Sequence, residues 1–139
     1  MGNIKSLLVE FIVAFLLGIA GNIAIFYIAI LTDILGIYIS FSFMDSIAVA
    51  IYIGIPLGSS LGIFLTKKYI FRTGKFSVLF LFTSLVFGFL AAFLCVVLKV
   101  YGLIGLGSDT IIFLLVPLFA LIGYNAMSVL LRGRKERPR

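Results

Sequence analysis

The stretch from Phe76 to Leu98 reads FSVLFLFTSLVFGFLAAFLCVVL and contains no charged residue. Wound into a helix, it is apolar all round, which leaves no face for water. A strand of a transmembrane barrel would alternate apolar and polar side chains, and this stretch does not. Its length suits the ~20 residues that a helix needs to cross ~30 Å of hydrocarbon. Three further runs of the same kind occupy 7–31, 46–66 and 110–131. The expected fold is an all-α integral membrane protein with transmembrane helices over 6–31, 46–66, 76–101 and 110–131, arranged as two hairpins in one domain.

Composition agrees. The chain has 139 residues, is 63% hydrophobic and has a mean hydropathy of +1.32. That excludes a water-soluble globule, which needs polar outer faces. Met1 to Ser6 fits an acylation pattern, and the start of the first run mimics a signal peptide. However, the apolar run continues to Leu31, so it reads as a retained first helix.

Charge gives the orientation. Lys5, four bases in the 67–75 connector and five in the tail 132–139 fall on one side of the implied topology, and only Lys99 falls on the other. The positive-inside rule then places both termini and the middle connector in the cytoplasm, in a cytoplasmic (inner) membrane. Asp33, Asp45 and Asp109 lie on the outer side, where Asp45-Ser46 and Asp109-Thr110 suit helix N-termini. Tyr38, between the first two helices, suits headgroup depth. The net charge of +6 sits in short juxtamembrane clusters. Such clusters meet anionic headgroups, so membrane lipids are the expected partners and nucleic acid is not.

The Asp-Ser/Thr-Ile openings at 45–47 and 109–111, each followed by one proline and a basic cluster, hint at duplicated hairpins. Pro56 is expected to kink the second helix. Cys95 is alone in the chain and histidine is absent. A disulfide, a metal site and a haem are therefore not expected, and neither is any other cofactor. No nucleophile or histidine accompanies the acids, so no enzyme is expected.

Three groups of residues stand out. Gly54, Gly58 and Gly62 form a small-residue stripe on the second helix, a glycine-zipper pattern, with Ser84, Gly88 and Ala92 answering on the third and Ala14 and Gly18 on the first. Lipid gives apolar helices no hydrophobic reason to associate, so small residues mark close backbone approach. Glu10, Ala14, Gly18 and Asn22 share one face of the first helix at a spacing of four. A carboxylate at that depth is costly. It either pairs with Lys5 or the basic connector, or it binds a proton or cation. Tyr124, Asn125 and Ser128 lie toward the cytoplasmic end of the fourth helix. With Lys67, Lys68, Arg72 and the tail arginines, they could surround a lipid phosphate.

The segment Leu61 to Arg72, through Phe64, Lys67, Lys68, Tyr69 and Phe71, resembles the end of the second helix in the GtrA-like family, although Thr66 stands where that family has asparagine. The family has four spans and a similar length. The resemblance implies movement of a polyprenyl-phosphate-linked sugar across the cytoplasmic membrane, with a lipid-linked substrate as partner. Two other functions fit the residues. One is a small oligomeric proton-coupled transporter or channel using Glu10. The other is an immunity protein or assembly subunit that binds a membrane protein partner through its apolar helix faces.

Overall fold

A computed structural model describes residues 4–34, 47–71, 78–100 and 109–135. The four segments are the helices α1 (Ile4–Ile34), α2 (Ile47–Ile70), α3 (Val78–Val100) and α4 (Asp109–Lys135). No strand occurs among the described residues. Each helix is long and apolar enough to cross a membrane, so the chain is a multi-pass, all-α membrane protein. Tyr38, the Asp45-Ser46 cap, Arg72 and the tail beyond Lys135 lie outside the described residues.

The bundle exposes large apolar side chains and buries hydroxyl groups. Phe93 is 69% exposed and Phe82 60%, whereas Ser59, Ser60, Thr66 and Ser84 are fully buried. In water such a surface would associate without limit. In hydrocarbon it is the low-energy arrangement, because lipid solvates phenylalanine and not hydroxyl groups.

The glycine stripe of α2 packs on α1. A Cβ at Gly58 would land on the Leu17 carbonyl oxygen, and one at Gly62 would lie 2.8 Å from the Ala14 Cα. One at Gly54 would lie 2.7 Å from the Cα of Asn22. The two backbones are therefore in direct contact over most of their shared length. Of the two helices whose small residues could meet the stripe, the first takes it, along Ala14 and Gly18. Gly88 of α3 faces Pro56 of α2 and Val116 of α4, and Ser84 reaches both Ser60 of α2 and the Ala120 carbonyl of α4. The reason is geometric. A helix has several faces, and a stripe shows that one face is thin without naming its neighbour.

The α3–α4 hairpin closes differently, through side chains. Gly123 receives the Phe87 ring, and Ala91, Ala92, Cys95, Ile112 and Val116 form a cluster with Ile55 of α2. Helices α2 and α4 touch each other and both remaining helices, so α1 and α3 lie on opposite sides of the α2–α4 pair.

Two wide, π-helical turns interrupt α2, at Ala50–Gly54 and Thr66–Ile70. The first lies just ahead of Pro56, which has no N–H to give to the carbonyl four residues back. The second carries Lys67 and Lys68. These two bases are helical, not part of a connector as the sequence implied, because α2 continues one turn beyond Thr66. In that turn the Thr66 hydroxyl donates to the Gly62 carbonyl at 2.8 Å, and the Phe71 N–H reaches back to the Thr66 carbonyl at 3.0 Å.

Candidate functional site

Helices α1, α2 and α4 meet at the end of the bundle where α1 begins and α2 and α4 end. Glu10 is only 1% exposed there, on the same buried face as Ala14 and Gly18. Its Oε1 pairs with Lys67 Nζ at 2.7 Å across the α1–α2 contact. Its Oε2 is buried and has no hydrogen-bond partner. Lys67 also donates to Asn125 Oδ1 of α4 at 3.4 Å and sits 5.6 Å from the centroid of the Tyr124 ring. The ammonium thus meets a carboxylate, an amide oxygen and a π face from two other helices.

Each partner is itself held. The Asn125 amide nitrogen donates to the Leu121 carbonyl at 3.0 Å, which turns the amide oxygen toward Lys67. Tyr124 stacks on Phe80 of α3, with ring centroids 5.1 Å apart. Around them, Ala14, Ile63, Phe80, Ala120, Leu121 and Tyr124 make a buried apolar shell.

Magnitudes show what the pair is for. At 2.7 Å and an effective dielectric of about 20, the gross attraction is about 6 kcal/mol. Desolvating each ion costs several kcal/mol. The two terms nearly cancel, so the pair adds little to folding as a whole. Losing one member would leave a buried charge alone, and that is the expensive event. The Lys67 side chain keeps 18% exposure, while Glu10 is sealed.

A lateral groove of about 660 Å³ opens between α1 and α4 beside this cluster. Leu8 and Phe11 line one wall, and Leu118, Ile122, Asn125 and Ala126 line the other. Asn125 is the one uncharged polar side chain among lining residues that are otherwise apolar. The same side chain therefore touches both the groove and Lys67.

The sequence-derived candidates separate into two sets. Glu10, Lys67, Tyr124 and Asn125 converge. Lys68 does not join them: it is exposed, 5.8 Å from the Phe64 ring centroid and 5.1 Å from that of Tyr69. Asn22 is three turns away along α1, its backbone against Gly54. Ser128 is half-buried one turn beyond Tyr124. A polar contact that sequence reading overlooked sits mid-bundle, where Ser84 of α3 donates to the Ala120 carbonyl at 3.0 Å and reaches Ser60 of α2 at 3.4 Å. The signal for Ser60 was its position seven residues before Lys67, on the same side of the helix. Among the described residues, no group of three metal-ligating side chains occurs.

No family model, curated protein or solved structure matches the chain.

Proposed function

We propose that this protein carries a polyprenyl-phosphate-linked sugar across the cytoplasmic membrane, with both termini and the site end of the bundle in the cytosol. The observation that carries the reading is the dual position of Asn125. It lines an apolar lateral groove and hydrogen-bonds the partly buried cation Lys67. A polyprenyl chain is a long apolar ligand with a single anionic head. It needs an apolar trough, which this groove supplies at a volume within the ~300–1,000 Å³ of small-ligand sites. It also needs a cation close by, and Lys67 is bonded to Asn125 of the groove wall. Lys68, set outward on the same turn, is placed to meet the phosphate first.

The orientation follows from the charge distribution: a base-rich end stays on the cytoplasmic side, where anionic headgroups and phosphate esters are drawn to it. The resemblance of Phe64 to Phe71 to the GtrA-like family names the same substrate class.

The test is transport in vesicles. Purified protein in liposomes should move a fluorescent polyprenyl-phosphate sugar between leaflets, as read by chemical quenching of the outer leaflet. Lys67→Ala should reduce the rate about tenfold or more. Ala126→Phe, which obstructs the groove from an exposed position, should reduce it similarly without lowering the melting temperature. Unchanged transport in both variants would dismiss the proposal.

The buried carboxylate favours a second reading, a proton-coupled transporter of another solute. That reading predicts a pH-gradient-driven flux abolished by Glu10→Gln and unaffected by Ala126→Phe.

A further inference from the structure

We infer that Glu10 is the internal stand-in for the ligand's phosphate, so that the two compete for Lys67 and each ligand bound takes up one proton at Glu10. This rests on the lipid-phosphate reading above and adds a coupling to it. Charge conservation in a poor dielectric links the two events.

In the structure as it stands, Glu10 and Lys67 form a neutral pair at 2.7 Å. A phosphodiester brings one negative charge. If Glu10 stayed ionised, two anions would share one ammonium in a site where Glu10 is 1% exposed. An uncompensated charge there costs several kcal/mol. A proton taken from water by the Glu10 carboxylate removes the excess. The site then holds neutral Glu10, the Lys67 cation and the phosphodiester anion, and its net charge is zero before and after. When the ligand leaves, the carboxyl releases its proton and pairs with Lys67 again.

Two further features fit this exchange. Lys67 is the member with partial exposure, so it is the one able to change partner while Glu10 stays in place. Asn125 accepts from Lys67 and lines the groove, so it links the ammonium to the groove wall. The groups that face Glu10 are few among the described residues. Lys67 comes from α2 and Tyr124 from α4, while Asn125 meets Lys67. The only titratable side chains described on α3 are Cys95 and Lys99, which lie toward its opposite end. Lys5, one turn before Glu10 on α1, is exposed. None of these is a second carboxylate that could take the proton instead.

The proposal is tested by calorimetry on the full chain in lipid nanodiscs, with a polyprenyl phosphodiester sugar as the titrant, whose single charge does not change between pH 5.5 and 8.5. Titrations of the wild-type protein in two buffers of different ionisation enthalpy should show about one proton taken up per ligand. The affinity should weaken by up to about tenfold per pH unit as pH rises through the range of uptake. Glu10→Gln should bind more tightly at high pH and lose the pH dependence. Binding by the wild-type protein without proton uptake overturns this inference and leaves the lipid-phosphate reading standing. Uptake retained in Glu10→Gln also overturns it, since another group then carries the proton. No binding by the wild-type protein at any pH overturns both.

Discussion

Glu10 of α1 and Lys67 of α2 meet at 2.7 Å in a site that α4 closes with Tyr124 and Asn125. The pair joins the two helices of one hairpin, and through Asn125 it joins that hairpin to the other. Through Asn125 it also lies beside the groove.

Removing one partner should cost far more than removing both. Glu10→Leu leaves Lys67 without its anion, and the expected loss is about 3 kcal/mol, the low end of the usual range because Lys67 keeps some exposure. Lys67→Met, which strands the fully buried carboxylate, should cost about 4–5 kcal/mol at neutral pH. The double variant should recover most of that stability. Reversible unfolding in detergent, compared across the four proteins as a double-mutant cycle, measures it. Additive losses would mean that the pair is not coupled.

Gly58→Ala should open the α1–α2 contact. Its new methyl group would meet the Leu17 carbonyl, part of a backbone that cannot rotate away. The expected loss is about 2–3 kcal/mol, at the upper end for overpacking. Gly88→Ala is the control. There the methyl would lie 3.4 Å from the Pro56 Cβ, close to ordinary contact, and stability should change by less than about 0.5 kcal/mol. Thermal melts of both variants distinguish a stripe that packs tightly from one that is merely small.

Two buried serines should respond in opposite ways. Ser84 donates to the Ala120 carbonyl, and Ser84→Ala should lose about 0.6–1.7 kcal/mol, the range of interhelical hydrogen bonds in lipid. Ser59 is just as buried, yet its Oγ has no hydrogen-bond partner. Ser59→Ala should be neutral or slightly stabilising, because it removes a polar atom that gains nothing from burial. Matched unfolding curves give the sign.

Topology is open to labelling. With Cys95→Ala as background, a cysteine at the exposed Ile70 should react with a membrane-impermeant maleimide only after the inner face is made accessible. Labelling of intact cells at that position would invert the proposed orientation, and with it the side from which substrate enters.

Much of the site was visible residue by residue. Glu10, Lys67, Tyr124 and Asn125 are unusual in their settings: polar or charged groups near the ends of runs that are otherwise apolar. Pairing Glu10 with the basic stretch was one of two accounts that the residues allowed. What could not be read was which base it takes. Lys67 and Lys68 are adjacent and chemically identical, and the choice depends on the wide turn Thr66–Ile70 that turns one inward and leaves the other exposed. The lateral groove was not legible either. Leu8, Phe11, Leu118 and Ile122 look like any lipid-facing residues until two helices are set side by side.

The one-dimensional pattern alone determined that hydrocarbon is the solvent and that four helices cross it. Uninterrupted apolar length and the placement of basic residues are local properties, and the bilayer acts on each segment separately. The tertiary structure decided which thin face meets which helix, which lysine is drawn inward and where a groove remains. Those outcomes depend on contacts between residues far apart in the chain. In a lipid solvent, where burying apolar surface gains nothing, close packing and the pairing of a few polar groups select among the arrangements that the pattern leaves open.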